Sequence, residues 1–300
     1  MRSAGAQGAP RGGLLQGIGD DCARLAPAPG QELAVTTDLL VEGRHFLPDA
    51  DPRKLGHKCL AVNLSDLAAA GATPRWFTLA LALPSIDEPW MERFCEGMFA
   101  LADAHGAALV GGDTTRGPVR TIDITALGEV PAGRALTRAG ARPGDEIWVS
   151  GTLGGAALAL VHPEIAAAAA RLHEPQPRVA LGLALRGLAS AAIDVSDGLA
   201  GDLGHILERS GVGAVVRYAD VPKDAAFGKV RDASLEQRCV LSGGDDYELL
   251  FTVPRARREE ARRLPGVSLI GDIVAGDALK IVDGSGAALR HHGGFDHFAT

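Results

Sequence analysis

Apolar runs in this chain are short, and most are closed by glycine, proline or aspartate. Residues 32–38 read as a strand ending in two threonines and a carboxylate. Asp51-Pro52 predicts a helix start, and Leu60, Leu64 and Leu67 recur at helical spacing up to Ala70. Residues 76–83 are continuously apolar, as in a buried strand or a short helix. Ser85 and Glu88 have capping-box spacing and predict a helix to Gly106. Residues 108–112 predict a strand that runs into a tight loop, Gly111-Gly112-Asp113-Thr114-Thr115-Arg116, with a polar cluster at the strand end. Residues 121–130 form a further strand with partial alternation.

A turn at 141–145 separates this half from the next. There, strands are expected at 146–150, 191–195, 212–218, 247–253, 268–274 and 279–282. Helices are expected after Gly154, over 178–188, to about Arg209 and over 254–263. Strands and helices mix without strict alternation, so the fold class is α+β with two domains, 17–140 and 141–300. Residues 1–16 read as a disordered tail.

Composition narrows the picture. Hydrophobic residues make up 46% of the 300 and charged residues 22%, as in soluble globular proteins. Aromatics at 4% leave the core to Ala, Leu, Val and Ile. The net charge of −7 disfavours a nonspecific nucleic-acid or anionic-membrane surface, but bound metals would still allow anionic substrates. None of the four cysteines forms a C-x-x-C pair, which disfavours zinc and a disulfide framework and fits buried thiols in a reducing cytoplasm. No apolar run approaches the ~18 residues of a membrane span, and no signal core opens the chain.

The chemistry lies in acidic turns: Asp20-Asp21, Asp38, Asp66, Asp113, Asp194 with Asp197, and Asp245-Asp246. A single aspartate in a turn is more often a backbone device than a ligand. The set is different, because acid, hydroxyl and glycine recur together and clustered carboxylates repel unless cations join them. Oxygen-only donors point to Mg²⁺ ahead of Mn²⁺ or Ca²⁺. Several such ions suit phosphoryl transfer. The one Gly-Lys pair, Gly228-Lys229, is followed by Val230, so there is no phosphate-binding G-x-x-x-x-G-K-[ST] loop. Protein-kinase H-R-D and D-F-G signatures and the hydrolase G-x-S-x-G are absent too. ATP would then be held by metals, backbone amides and arginines such as Arg116 or Arg138. His45 follows an acidic loop, although a lone histidine is more often structural.

Taken together, Gly17-Ile18-Gly19-Asp20-Asp21-Cys22-Ala23, Thr37-Asp38, His45-Phe46, Asn63-Leu64-Ser65-Asp66, Gly111-Gly112-Asp113-Thr114-Thr115-Arg116-Gly117, Asp194-Val195-Ser196-Asp197-Gly198, Asp202-Leu203-Gly204-His205, Ser242-Gly243-Gly244 with Asp246-Tyr247-Glu248-Leu249, and Phe295-Asp296-His297-Phe298 resemble the thiamine-monophosphate kinase family. That family sits among the aminoimidazole-ribonucleotide synthetase-like ATP enzymes. The resemblance runs from about Gly17 to the end of the chain. It implies an N-terminal mixed sheet that forms a barrel across a homodimer and a sandwich-like C-terminal domain. It implies ATP-dependent phosphorylation of thiamine phosphate to thiamine diphosphate with several Mg²⁺ ions. Carried over by motif, Asp21, Thr36, Thr37, Asp38, Asp66, Asp113, Asp194 and Asp197 are metal ligands. Gly112, Asp113, Arg138 and Ser196 contact ATP. His45, Asp245 and Phe295 contact the substrate. No residue is assigned as a general base. Three features depart from the family pattern: the residues before Gly17, Thr36 in place of a common serine, and Asp245 in place of a frequent glutamate. Another ligase or cyclase of the same superfamily is the alternative activity, and a metal-binding scaffold without catalysis is a third reading.

Overall fold

The computed structural model describes residues 12–290. These fall into two compact units, one chiefly of residues up to Gly133 and the other chiefly of residues from Arg134. Phe295 lies outside the described residues.

The first unit opens with a small antiparallel pair, β1 (Leu14–Gln16) and β2 (Arg24–Leu25). Leu14–Gln16 are therefore ordered strand, not tail. The main sheet contains β3 (Gln31–Val41), β4 (Thr73–Leu83), β5 (Ala108–Arg116) and β6 (Thr121–Pro131), in the order β3-β6-β4-β5. Only β4 and β5 pair in parallel, and the helix α2 (Glu88–His105) connects them. The helix α1 (Pro52–Ala69) precedes β4. Asp51 caps α1 as expected, its carboxylate accepting the amides of Arg53 and Lys54 at 2.9 and 3.2 Å. The cap of α2 is Asp87, which accepts the Trp90 amide at 3.2 Å, and not Ser85. A Cβ on Gly56 would stand 1.9 Å from the Phe94 carbonyl oxygen, and one on Gly97 1.7 Å from that of Arg53. Two glycines thus let α1 and α2 touch backbone to backbone.

One expectation fails here. Gly111-Gly112-Asp113-Thr114-Thr115-Arg116 is not a loop at a strand end but the second half of β5, paired with β4 from Thr78 to Leu83. The sheet absorbs the glycines through an irregularity in β5, where Leu109 and Gly111 pair with the consecutive residues Phe77 and Thr78.

The second unit is built on a six-stranded sheet of β7 (Asp145–Ser150), β8 (Ala191–Asp194), β9 (Gly213–Arg217), β10 (Leu249–Pro254), β11 (Val267–Val274) and β12 (Leu279–Val282). Its order is β12-β9-β11-β7-β10-β8, and only β12 and β9 are parallel. The helices are α3 (Gly155–Val161), α4 (Ala166–His173), α5 (Val179–Leu185), α6 (Leu199–Ser210), α7 (Ala233–Ser242) and the short α8 (Arg258–Ala261). A single aliphatic core joins sheet and helices, with Ile147, Leu153, Leu203, Ile206, Val240 and Ile270 among its fully buried members. The expected charged helix over 254–263 shrinks to a 3₁₀ turn and α8. The helix α7, which starts at the Asp232 cap, was not anticipated.

Glu248 is fully buried beside this core. Arg178 grips it with two hydrogen bonds of 2.6 and 2.5 Å, Arg171 adds one at 2.8 Å and the Ser150 hydroxyl one at 2.5 Å. Burial alone would raise the pKa of Glu248, but the guanidinium of Arg178, the Ser150 hydroxyl and the charge of Arg171 bring it below the ordinary value. Among the described residues all four cysteines are free, with Cys59 and Cys239 buried, Cys95 half-buried and Cys22 exposed. No described helix is long and apolar enough to cross a membrane.

Glu248→Gln removes the charge that holds two guanidinium groups and is expected to destabilise the protein by about 3 kcal/mol at pH 7. A carboxylate whose folded pKa is depressed stabilises above its ordinary value and loses that contribution on acidification. The gap between variant and parent in urea unfolding should therefore narrow as the pH falls below about 4.5.

Candidate active site

In the first unit, β3 and α1 supply the acids. The strand runs past its expected end at Asp38 to Val41, so Thr36, Thr37 and Asp38 lie inside it, while Asp66 lies on α1 three residues beyond Asn63. The Thr36 hydroxyl donates to the Asp66 carboxylate. The Thr37 hydroxyl donates to Asp123 on β6 at 2.7 Å and lies 3.0 Å from the Thr125 hydroxyl. Asp38 is half-buried, and its pKa is raised to about 7 by burial first and then by the charges of Asp66 and Asp123. Thr36, Asp38 and Asp66 thus share the face of the sheet that packs on α1, while Thr37 turns to the other face with Asp123 and Thr125. Asp123 was missed. It stands inside an alternating strand with no turn residue near it, and only its pairing with the β3 segment reveals it.

Cross-strand register places the remaining residues. One row reads Asp38, Ile124, Leu79, Gly112, and the next reads Leu39, Asp123, Ala80, Asp113. Gly112 has φ of +152°, and a Cβ there would stand 1.9 Å from the Leu79 carbonyl oxygen, so only glycine fits. Asp113 is exposed in β5 and accepts the Thr114 amide at 2.8 Å. Asp21 is exposed between β1 and β2, beside Asp20, whose carboxylate accepts the Asp21 amide at 2.8 Å. Neither Asp113 nor Asp21 takes part in the hydrogen bonds around Asp66 and Asp123. His45 closes the 41–46 turn: its Nδ1 accepts the Val41 amide at 3.0 Å, so the neutral ring carries its proton on Nε2. An ion pair of 2.5 Å between Arg120 and Glu42 anchors the start of that turn.

The donor set fits a hard cation. Among the described residues no group of three His, Cys, Asp or Glu side chains could hold a metal by itself. Mg²⁺ does not need such a cage, because it keeps several waters and is commonly held by one or two carboxylates plus substrate phosphates. Asp38 and Asp66, with the hydroxyl of Thr36, provide oxygen donors.

In the second unit, Asp194 ends β8 and Ser196 and Asp197 form the turn into α6. The Ser196 and Asp197 amides both donate to Asp202 Oδ2 at 3.0 Å. Asp202 is buried, and its pKa is raised to about 7 chiefly by burial, while its two amide donors and the charge of Arg138 act against that rise. At the other end of α6, the Ser210 hydroxyl donates to the Arg138 carbonyl oxygen at 3.2 Å and accepts the amides of Gly140 and Ala141, also at 3.2 Å. One helix therefore fastens both segments expected to contact nucleotide. Arg138 itself is exposed.

The 243–247 loop lies against the same turn. The Asp245 amide donates to the Ser196 carbonyl at 2.9 Å, and the Tyr247 amide to that of Val195 at 2.8 Å. Asp245 has φ of +66°, and its carboxylate accepts the Tyr247 hydroxyl at 2.8 Å. Asp246 is buried; Oδ2 accepts the Gly154 amide at 2.8 Å, Oδ1 has no hydrogen-bond partner, and burial above all raises its pKa to about 8. The likeness between the two Gly-Gly-Asp stretches does not extend to structure. The first is strand, and the second follows α7 as loop.

This pair of units, with acids inside strands of the first and at a strand-to-helix turn of the second, matches a known two-domain class. Residues 19–130 match the family AIR synthase related protein, N-terminal domain, and residues 142–284 match its C-terminal domain. A thiamine-monophosphate kinase from Salmonella typhimurium is 48% identical, over 95% of this chain and 92% of its own. The crystal structure of thiamine-monophosphate kinase from Stenotrophomonas maltophilia K279a is 46% identical with a TM-score of 0.85, covering 93% of each chain. A structure described as AaThiL complexed with AMPPCP and TMP is 31% identical with a TM-score of 0.80, covering 91% of this chain and 89% of that one. The chain belongs to the thiamine-monophosphate kinase family.

A carboxyl whose pKa is raised on folding favours the folded state at low pH and opposes it once ionised. In chelator-treated protein, Asp38→Asn is therefore expected to add on the order of 2 kcal/mol of stability at pH 8 and little at pH 4. Denaturant unfolding at the two pH values checks this, and an Asn variant less stable than the parent at pH 8 would contradict it.

Proposed function

We propose that the chain transfers the terminal phosphoryl group of ATP to thiamine phosphate, giving thiamine diphosphate and ADP, with Mg²⁺ as the required cation. The observation that carries this reading is the similarity to AaThiL complexed with AMPPCP and TMP, together with family membership. The acceptor is a phosphate monoester with a second pKa near ~6, so it is largely dianionic at neutral pH. It needs no general base, and direct in-line attack follows. Bringing two polyanions together is the main barrier, and bound Mg²⁺ would supply the charge compensation that lowers it.

The chain's own residues then divide the work. Asp21, Thr36, Thr37, Asp38, Asp66 and Asp113 are assigned to cations in the first unit, and Asp194 and Asp197 in the second. Gly112 lets backbone approach the nucleotide, and Ser196 and Arg138 contact it. His45 offers Nε2–H as a donor to the acceptor phosphate, its Nδ1 being taken by Val41. Asp245 answers the positive charge of the thiazolium, and Phe295 stacks on a ring of the substrate. A homodimer with a shared barrel fits the exposed apolar residues Leu33, Val35 and Leu39 on β3, which is an edge strand of its sheet. The free thiols and the absence of a membrane-crossing helix among the described residues accord with action in the cytoplasm.

Incubating the protein with ATP, Mg²⁺ and thiamine phosphate should yield thiamine diphosphate and ADP in equal amounts; folded protein that gives neither would refute the proposal. Asp113→Ala should lower kcat by about 100-fold with the fold intact by circular dichroism. Full turnover in that variant would remove Asp113 from the cation set.

A further inference from the structure

Helix α1 carries a polar stripe along its buried side. Cys59, Asn63 and Asp66 recur at helical spacing, so their side chains leave the helix within about 60° of one another. Both ends of the stripe reach the inner face of β3, where Thr36 and Asp38 lie two residues apart. Asp66 accepts the Thr36 hydroxyl. Burial above all raises the pKa of the Cys59 thiol, and the charge of Asp38 adds to that rise, which puts Cys59 near Asp38. Asn63 stands between these two along the helix and is fully buried. Its Nδ2 donates to the Cys59 carbonyl oxygen at 3.1 Å. A carbonyl only accepts, so this bond fixes the orientation of the amide and turns Oδ1 away from the helix backbone. Oδ1 is buried and has no hydrogen-bond partner. An acceptor left unpaired in the interior is costly, and a site beside two carboxylates offers a reason for it.

We propose that Asn63 is a positioning residue for the cation, its Oδ1 accepting a hydrogen bond from a water that Mg²⁺ keeps when Asp38 and Asp66 hold it. Mg²⁺ dehydrates reluctantly and is bound through one or two carboxylates, so its remaining waters need acceptors. A neutral amide oxygen accepts from such a water without adding a third charge to the pair. A carboxylate at position 63 would repel Asp38 and Asp66 whenever the ion is absent. An amide in a row with the buried Leu60, Leu64 and Leu67 is accounted for once the ion brings the missing donor. This inference rests on the proposed use of Mg²⁺ with ATP.

Two measurements on the full chain test this: stability to urea in EDTA, and the free Mg²⁺ concentration that gives half the rise in Tm at a fixed ATP concentration. Asn63→Leu fills a similar space without an oxygen. In EDTA it should be at least as stable as the parent, because an unpaired acceptor is gone. Its Mg²⁺ midpoint should nevertheless rise about fivefold, the value of one ordinary hydrogen bond. Asn63→Asp should do the reverse, with lower stability in EDTA and a Mg²⁺ midpoint below that of the parent. A merely structural asparagine would cost stability in the leucine variant and leave the Mg²⁺ midpoint unchanged, and that outcome overturns the proposal. So does an aspartate variant whose midpoint equals or exceeds that of the parent, which also decides the matter if the leucine variant does not fold. A parent whose Tm ignores Mg²⁺ would sink the Mg²⁺–ATP reading itself and this inference with it, whereas a responsive parent with an unshifted leucine variant sinks the role of Asn63 alone.

Discussion

Asp38 and Asp66 bring two carboxyl groups together on the helix-packed face of the N-terminal sheet, where burial weakens the screening of their charges, and Asp123 on the opposite face adds to the rise in the Asp38 pKa. An apolar or amide side chain at position 38 would relieve the repulsion and leave strand β3 paired as it is. The arrangement is understandable as a site whose missing charge arrives with the ligand. Thr36 supports that reading, because its hydroxyl holds Asp66 in place beside Asp38. Stability is given up locally for affinity, a pattern common at sites evolved for function.

The second unit handles its buried acids in two ways. Glu248 is matched by Arg171 and Arg178 and contributes to stability. Asp202 is matched by backbone amides and sets the shape of the turn that carries Ser196 and Asp197. Helix α6 connects that turn to the Arg138 segment through Ser210, so one rigid element governs the residues assigned to the nucleotide. The Asp245 loop is hydrogen-bonded to the same turn. Substrate and nucleotide residues of this unit therefore share one backbone framework.

Much of the fold was legible residue by residue. Asp51-Pro52 announced α1, and alternation announced β6, because capping and burial leave local signatures. The Gly-Gly-Asp stretch at 111–113 misled, since glycine signals a loop unless a neighbouring strand needs its lack of a Cβ, as Leu79 does at Gly112. Helix α7 left a weak pattern, with Leu235, Cys239, Val240 and Leu241 its only buried apolar residues. The acids at 38, 113, 194 and 197 were readable because hydroxyls and glycines surround them, although Asp38 and Asp113 lie inside strands and not at their ends. Asp123 was not singled out, and Asp202 entered only as part of a motif, without a role: one looks like the polar phase of a strand, the other like an ordinary first-turn carboxylate. Their partners lie on other segments, which only the folded chain brings near.

On this reading the paired carboxylates of Asp38 and Asp66 are completed by a cation bound with nucleotide. Thermal unfolding of the unaltered protein at pH 8, across a Mg²⁺ series with ATP present, tests it most directly. A ligand held only by the folded state at about a hundred times its dissociation constant adds roughly 2.7 kcal/mol, or about 5 °C or more in Tm. A saturable rise of that size is expected with Mg²⁺ and ATP together. A Tm that stays constant through tens of millimolar Mg²⁺ in the presence of ATP would contradict it.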